Sequence, residues 1–185
     1  MNIRETDFTG LYVIEPKVFN DPRGYFFESC RQDWFASFAD VQFVQDNESK
    51  SSQGVLRGLH YQLAPYSQTK LIRVTVGKIW DVVVDIRRGS PTFGRWFGIE
   101  LSDESKRQLF IPKGFAHGFS VLSEHAIVSY KCDNYYHAAS ESGIRYNDVK
   151  LSIDWKIDLE TAIVSNKDKV WPGLEEANYN FVFNK

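Results

Sequence analysis

Hydrophobic and polar positions alternate in short stretches along most of the chain. These stretches are rich in Val, Ile, Phe, Tyr and Trp, and residues typical of turns separate them. Because successive side chains of a strand point to opposite faces, such alternation predicts half-buried β-strands. The predicted strands cover residues 12–15, 25–28, 43–48, 55–61, 70–76, 79–87, 95–101, 108–111, 118–121 and 126–134.

Turn residues between the strands indicate a sheet that reverses direction often. Gly and Pro occur in residues 21–24, 76–78, 88–91 and 112–114, where they supply the backbone angles that turns require. We therefore predict a mostly β sandwich or barrel with a meander in the middle of the chain.

Two segments fall outside the strand pattern. Residues 32–38 place three aromatic side chains at a spacing that suits one face of a short helix. After residue 146 the alternation fades, and residues 154–158 and 170–174 are typical of a tail that wraps over the barrel. We therefore expect short helices only at the periphery.

The composition fits one β-rich domain. A chain of 185 residues is enough for one well-buried core, so we expect residues 1–185 to form a single domain. The 22 Lys and Arg against 24 Asp and Glu give a net charge of -2. Without an overall basic field we expect no nucleic-acid or membrane partner, and an anionic ligand has to meet a local cluster of cations.

The N-terminus and the cysteines indicate the compartment. The first ten residues carry charges where a signal peptide needs an apolar stretch, and no run approaches the roughly 18 apolar residues of a membrane span. Cys30 and Cys132 lie far apart and show no metal-ligand spacing. We expect a cytoplasmic protein with reduced thiols.

One histidine lies inside a predicted strand. In the sequence RGLHYQ, which begins at Arg57, strict alternation places Arg57, Leu59 and Tyr61 on one face and His60 on the other. If that second face lines a barrel, His60 projects into a pocket. The alternative is a half-exposed strand histidine without a functional role.

A second histidine belongs to a recognisable motif. The sequence PKGFAH, which ends at His117, has the PxGxxH pattern and resembles the second motif of the cupin superfamily, so we predict a cupin-type β-barrel (jelly roll). Metal-binding cupins also carry an HxH motif and a later Glu, but here Gln62 stands where the second His of HxH would be. Two histidines fall short of the ligand set of a stable transition-metal site, so we expect no metal.

Without a metal, His60 suits proton transfer. Histidine is the side chain that most readily accepts a proton at neutral pH, and a carboxylate on its other ring nitrogen fixes the tautomer. Asp81, Asp85 and Asp168 are all candidates for that carboxylate, and sequence spacing does not choose among them.

Abstraction of a proton beside a ketone needs two further groups. A cation has to stabilise the enolate oxygen, and Lys70 and Arg73 on the next strand are available. Epimerisation also needs an acid on the opposite face, which the phenol of Tyr130 can supply. The alternative for Tyr130 is an ordinary core residue.

Dispersed stretches of the chain match the pattern of one family. They are residues 15–19, 21–28, 43–47, 55–60, 70–73, 81–87, 90–94 and 111–119. Together they resemble the dTDP-4-dehydrorhamnose 3,5-epimerase family of nucleotide-sugar biosynthesis. The resemblance implies inversion of carbons 3 and 5 of dTDP-4-keto-6-deoxyglucose, without a cofactor.

The same resemblance implies roles for individual residues. His60 is the base with Asp168 as its partner, Lys70 stabilises the enolate and Tyr130 is the acid. Arg23 and Arg57 contact the diphosphate, since a guanidinium binds two oxygens at once. The remaining implied binding residues are Tyr136, which stacks on thymine, and Glu28, Gln45, Asn47, His117, Glu141 and Lys167.

The resemblance further implies a homodimer with shared active sites, in which Arg23 and Glu28 reach the neighbouring subunit's site. The chain departs from the family pattern after Asp168, where KVWPGL (169–174) replaces a stretch of small residues. The alternatives are a mono-epimerase or ketoisomerase on a related dTDP-keto-sugar, a metal-dependent cupin enzyme, and a sugar-nucleotide binding module without turnover.

Overall fold

Two antiparallel sheets enclose the main core in the computed structural model of the protein, which describes residues 1–183. Short helices lie outside the sheets: two 3-10 helices, Gln32–Trp34 and Ala138–Ser140, and α1 (Asn166–Lys169). The strands are β1 (Asn2–Glu5), β2 (Tyr12–Glu15), β3 (Phe19–Asp21), β4 (Gly24–Phe26), β5 (Gln45–Ser52), β6 (Val55–Gln62), β7 (Lys70–Val76), β8 (Lys78–Asp85), β9 (Trp96–Ser102), β10 (Gln108–Ile111), β11 (Phe115–Val121), β12 (His125–Cys132), β13 (Glu141–Gly143) and β14 (Ile163–Val164).

The strand order is that of a jelly roll. The first sheet has the order β1-β2-β10-β7-β12-β5, and the second has β13-β6-β11-β8-β9 with β14 parallel to β6. The hairpin β3–β4 stands apart from both. The predicted mostly β, cupin-type barrel with short peripheral helices is therefore confirmed.

The predicted meander is wrong. Among the described strands, consecutive ones pair only in β1–β2, β3–β4 and β8–β9, whereas β5 pairs with β12 and β6 with β11. The tight turn at Gly77 carries the chain from β7 in one sheet to β8 in the other. A turn signal in the sequence does not reveal whether the chain pairs with the strand before it or crosses to the opposite sheet.

The core between the sheets is apolar. Its buried side chains come from both sheets, for example Val13 and Ile72 from the first and Val83 and Phe119 from the second. Burying one such side chain contributes about 1.5–3 kcal/mol, so this cluster supplies much of the driving force for folding.

The C-terminal tail covers the outer face of the second sheet, as predicted. Leu56 and Val82 of that sheet pack in one buried cluster with Trp155, Leu174 and Phe181 of the tail. Because the tail and the core bury both faces of the second sheet, its strands have apolar residues on both faces. They therefore lack a simple alternation of apolar and polar positions.

The predicted helix at residues 32–38 is confirmed in a shorter form, as the 3-10 turn Gln32–Trp34. Phe35 is fully buried and stacks on Phe110 with ring centroids 5.5 Å apart, and Phe38 meets the same ring edge-on. Both cysteines are free. Within residues 1–183, none of the helices has the length and apolar character needed to cross a bilayer.

Candidate active site

An open cavity of about 650 Å³ enters the barrel between the sheets. A second lobe of about 360 Å³ adjoins it. Three residues line both lobes, and these are His60, Lys70 and Tyr130. Asp168 lines the larger lobe. The four side chains with predicted roles in proton transfer thus lie around one cavity.

His60 is held by Asp168. The imidazole Nε2 lies 2.5 Å from the Asp168 Oδ1, and Asp168 is 2% exposed. Asp168 is placed by α1, whose N-cap Ser165 accepts the Asp168 backbone N–H at 3.1 Å. With Nε2 facing the carboxylate, the imidazole Nδ1 remains for a substrate proton.

The hydrogen bonds around Asp168 keep it ionised. Burial alone would raise the pKa of this carboxyl, but the His60 contact and the Gly58 backbone N–H, 3.4 Å from Oδ2, outweigh burial and lower it. Asp168 therefore stays a carboxylate that can stabilise a protonated imidazole. Asp85 is not available for this role, because Arg87, Ser90 and Thr92 donate to its carboxylate.

A β-bulge in β6 points Arg57 and His60 into the same cavity. His117 pairs with His60 and Phe119 with Arg57, so three steps along β6 match two steps along β11. The prediction that Arg57 shares the face of Leu59 and Tyr61 is wrong, since both of those residues pack in the outer cluster. One extra residue in a strand reverses the alternation beyond it.

Gly58 makes the bulge possible. Its φ is +118°, a backbone conformation that residues other than glycine rarely adopt. A Cβ on Gly58 would lie 2.5 Å from the Cα of Gly118, so β6 and β11 approach more closely here than side chains permit.

Lys70 and Tyr130 face the cavity from neighbouring strands of the first sheet. In the pairing of β12 with β7, Tyr130 lies opposite Ile72 and Cys132 opposite Lys70. Burial lowers the pKa of Lys70 and raises the pKa of Tyr130. A cation in a poorly solvated site is well suited to stabilise an enolate, and a phenol that keeps its proton is suited to act as an acid.

A second histidine–carboxylate pair lies across the strands from the first. The His117 Nε2 lies 2.9 and 3.1 Å from the two Asp81 carboxylate oxygens, and both residues are buried. Burial raises the pKa of Asp81, although His117 and Lys70 act in the opposite direction. The sequence places Asp81 among the candidates for His60, but its partner is His117.

The histidines do not form a shared ligand set for a metal. Each is paired with its own carboxylate, His60 with Asp168 and His117 with Asp81. Within residues 1–183 no three His, Cys, Asp or Glu side chains converge on one point. The residues present therefore do not fit the metal centre of a metal-binding cupin.

Predicted binding residues form the polar wall of the smaller lobe. Gln45 donates to the Asn47 Oδ1 at 3.0 Å and accepts the Tyr136 backbone N–H at 2.9 Å. The Tyr136 hydroxyl donates to Glu141 at 2.9 Å, and Lys167 forms an ion pair with the same carboxylate. Burial would raise the pKa of Glu141, but these two contacts lower it.

Of the predicted contacts Arg57, Arg23 and Glu28, only Arg57 lines the cavity. Arg57 lines the larger lobe, where its Nε donates to the Ser51 hydroxyl at 3.0 Å. Arg23 pairs with Asp21, and Glu28 pairs with Arg31. Neither Arg23 nor Glu28 lines a lobe of this chain's cavity.

The sequence matches a known protein family over the range that forms the cavity. A sequence model described as dTDP-4-dehydrorhamnose 3,5-epimerase matches residues 5–176, a range that contains the whole cavity. The chain belongs to the dTDP-4-dehydrorhamnose 3,5-epimerase family. The predicted resemblance is confirmed, and so is the prediction that the chain is an enzyme of the isomerase class.

Relatives of the dTDP-4-dehydrorhamnose 3,5-epimerase family match nearly the full length. The protein of that name from Shigella flexneri is 50% identical over 181 residues, which are 97% of this chain and 99% of the relative. The crystal structure of the Elizabethkingia anophelis enzyme is 49% identical with a TM-score of 0.91, covering 95% and 97% of the two chains. The Legionella pneumophila dTDP-6-deoxy-D-glucose-3,5-epimerase, in complex with dTDP-4-keto-L-rhamnose, is 50% identical with a TM-score of 0.90, covering 95% and 93%.

The sequence did not indicate two further residues near the His60–Asp168 pair. Ser165 caps the helix that carries Asp168, and its position three residues before an acidic residue is a usable capping signal. Trp171 lies edge-on to His60 with ring centroids 6.5 Å apart. No periodicity brings a tail residue to a strand histidine, so the sequence could not indicate that contact.

Proposed function

We propose that the protein inverts carbons 3 and 5 of dTDP-4-keto-6-deoxyglucose and so forms dTDP-4-dehydrorhamnose. The observation that carries this proposal is the convergence of the His60–Asp168 pair, Lys70 and Tyr130 on one cavity. The Legionella pneumophila relative, described in complex with dTDP-4-keto-L-rhamnose, supports the same substrate class here.

The proposed chemistry divides into removal and return of a proton. The Nδ1 of His60 takes the proton from a carbon beside the ketone, and the C–H electron pair moves into an enolate. Asp168 stabilises the imidazolium that forms. Lys70 stabilises the enolate oxygen, a contribution of about 3–4 kcal/mol for one well-placed donor. Tyr130 then gives its phenolic proton to the opposite face of the same carbon, which inverts the centre.

The nucleotide is proposed to bind through the remaining residues of the two lobes. Arg57 is held by Ser51 through Nε, and within residues 1–183 its Nη1 makes no hydrogen bond, which suits a diphosphate oxygen. Tyr136 is 56% exposed and is proposed to stack on thymine. The further proposed contacts are Gln45, Asn47, His117, Glu141 and Lys167.

We further propose a homodimer with shared sites. The hairpin β3–β4 stands apart from the barrel and exposes Phe19, Tyr25 and Phe26 by 52–67% of their surfaces. Exposed aromatic side chains on one projecting element favour burial against a second copy. Arg23 lies in the turn of this hairpin and Glu28 follows its second strand, and both are proposed to act in a partner's cavity.

No metal or cofactor is part of the proposal. The base, the acid and the enolate-stabilising cation are all side chains, so treatment with a chelator is expected to leave turnover unchanged. A loss of activity that added divalent metal restores would contradict this and favour a metal-dependent enzyme.

The test is proton exchange followed by NMR. Chelator-treated protein is incubated with dTDP-4-keto-6-deoxyglucose in deuterated water, and carbons 3 and 5 are observed. Deuterium at both carbons is the expected result. Deuterium at one carbon would indicate a mono-epimerase, and no incorporation would contradict the proposal.

Two variants test the assignment of base and acid. His60→Ala is expected to abolish exchange, by about 10³-fold or more, while dTDP binding persists, because the base acts only on the sugar. Tyr130→Phe is expected to keep deuterium incorporation but to lose inversion, because only the return from the opposite face needs the phenol. Normal exchange in the His60 variant would contradict the mechanism.

A further inference from the structure

Trp171 lies beside the proposed base. Its indole meets the His60 imidazole at 69° with ring centroids 6.5 Å apart, and it does not line either lobe. The residue follows Asp168 by three positions, just after α1 ends. It therefore connects the segment that carries the carboxylate to the sheet that carries the histidine.

The indole is seated on a glycine of that sheet. A Cβ on Gly143 would lie 2.6–2.7 Å from three atoms of the indole, so the ring occupies the space that a side chain would fill. Gly143 is the residue directly opposite His60 in the pairing of β13 with β6. Trp171 thus rests on the immediate cross-strand neighbour of the base.

Three hydrogen bonds to backbone groups fix the segment around Trp171. The Arg145 Nε donates to the Trp171 carbonyl at 3.2 Å, and the Arg145 backbone N–H donates to the Pro172 carbonyl at 2.8 Å. One turn further, Leu174 donates its backbone N–H to Asp148 at 2.8 Å. These contacts anchor the tail to the strand end beside Gly143, so the position of the ring is defined.

The indole N–H of Trp171 makes no hydrogen bond to the described residues of the site. The Trp171 Nε1 is buried, and within residues 1–183 it has no hydrogen-bond partner. A buried donor without a partner is unfavourable, so a favourable contribution of Trp171 to the site has to come from the shape of its ring.

We propose that Trp171 is a positioning residue that holds the His60–Asp168 pair in line with the cavity. The ring fixes the distance between α1 and β13. This distance in turn sets how far the Asp168 carboxylate lies from the His60 imidazole. The proposal rests on the proposed function, in which His60 is the base.

The test compares Trp171→Ala with Trp171→Phe. Trp171→Ala is expected to lower kcat by about 10- to 100-fold, because small misplacement of a reacting group is enough for such a loss. The Kd for dTDP is expected to change less than kcat, since among the proposed nucleotide contacts only Lys167 lies in α1 and only Glu141 in β13. Trp171→Phe keeps a flat ring without the unpaired N–H and is expected to retain kcat within about twofold.

Trp80 provides a matched control. It is also half-buried, it also occupies the space that a Cβ on a glycine would fill, in this case Gly98, and its Nε1 is also buried without a partner among the described residues. It lines neither lobe. Trp80→Ala is expected to lower the melting temperature as Trp171→Ala does, but to leave kcat within about twofold of the wild type.

A second measurement separates positioning from chemistry. The His60 Nε2 proton in its short contact with Asp168 is expected to give a downfield NMR signal that His60→Ala removes. The signal is expected to persist in Trp171→Phe and Trp80→Ala and to be lost in Trp171→Ala, or in Trp171→Leu if the alanine variant does not fold. Unchanged kcat and an unchanged signal in a folded variant would overturn the inference. Absence of exchange in the wild type would instead refute the proposed function, while the signal would still test the role of Trp171.

Discussion

At the scale of single residues, burial shifts the pKa values of Lys70 and Tyr130, and these shifts suit the two residues to different proposed roles. Burial lowers the pKa of Lys70 and raises the pKa of Tyr130, so the two pKa values shift toward each other or cross. As pH rises, Lys70 loses its proton at a pH below its ordinary pKa, whereas Tyr130 keeps its proton. In the proposed mechanism, the fall of activity at alkaline pH is therefore expected to follow deprotonation of Lys70.

Lys70→Arg tests this assignment. In the proposed mechanism Lys70 has to be protonated to stabilise the enolate. Wild-type kcat is therefore expected to fall as pH rises through the lowered Lys70 pKa, below the ordinary value near 10.4. Arginine stays protonated throughout, so the variant is expected to have a lower kcat but an alkaline limb at higher pH. The measurement is the pH profile of kcat.

Tyr130→Phe serves as the control for the same profile, followed by deuterium incorporation rather than inversion. It is expected to keep the alkaline limb of the wild type, since Lys70 is intact. A limb that moves in the phenylalanine variant and stays in the arginine variant would assign the titration to the tyrosine.

The sequence is enough to predict individual residues of the proposed site, but not which carboxylate pairs with which histidine. His60, Lys70 and Tyr130 lie in predicted strands, and the chemistry of a carbon acid requires their functional groups. The choice of Asp168 over Asp81 and Asp85 came from the family resemblance, because a contact across 108 residues leaves no trace in local spacing. The pair of Asp81 with His117 was missed for the same reason.

At the scale of secondary structure, the bulge in β6 is the element that arranges the site. It turns Arg57 and His60 to one side, and it depends on the close approach of Gly58 and Gly118. The strand itself was predictable from its apolar pattern. The bulge was not, because its cause is a contact between two distant backbones.

Gly58→Ala is expected to lower the free energy of unfolding by about 2 kcal/mol or more, from both the positive φ and the clash with Gly118. Proton exchange is expected to fall as well, because the histidine loses its orientation. Chemical denaturation and the exchange assay measure the two effects.

Gly54→Ala is the matched control for that substitution. Gly54 also has a positive φ, +77°, but a Cβ there would meet nothing within 4 Å. Only backbone strain of about 1 kcal/mol is expected, with normal exchange. Equal effects of the two substitutions would show that the close approach to Gly118 contributes nothing.

Strands with few apolar residues escaped the sequence pattern. β1 has Ile3 as its single apolar residue, and β13 and β14 are three and two residues long. They form because an existing strand offers a free edge, as β2 does for β1 and β6 for β13. Such pairing depends on the neighbour more than on the residues themselves.

At the scale of the whole molecule, the cavity of one chain holds the proposed base, acid and enolate-stabilising cation but not Arg23 or Glu28. In the proposed homodimer, the hairpin that carries Arg23 reaches the partner's cavity. Each site would then combine residues of two subunits.

Mixed dimers test the shared site. Arg23→Ala and His60→Ala are each expected to be inactive or nearly so. In a mixed dimer, one site has both native residues, so a random equimolar mixture is expected to regain about one quarter of the wild-type activity. The exchange assay on co-expressed, differently tagged subunits measures this recovery.

His60→Ala mixed with Tyr130→Phe is the control, because both residues line the same cavity of one chain. No recovery of inversion is expected from that mixture. Failure of the Arg23 mixture to regain activity would place Arg23 in its own subunit's site or outside catalysis.

The distance of 108 residues between His60 and Asp168 also bears on how the protein is made. A chain leaves the ribosome from its N-terminus, at about 5–20 residues per second. When Cys132 emerges, the residues of β1 to β12 have been synthesised, but β13, β14 and the tail that covers the second sheet are still missing. His60 is therefore synthesised long before its carboxylate, and a chain that ends before Asp168 lacks the proposed base–carboxylate pair. Chemical competence arrives only with the last part of the chain.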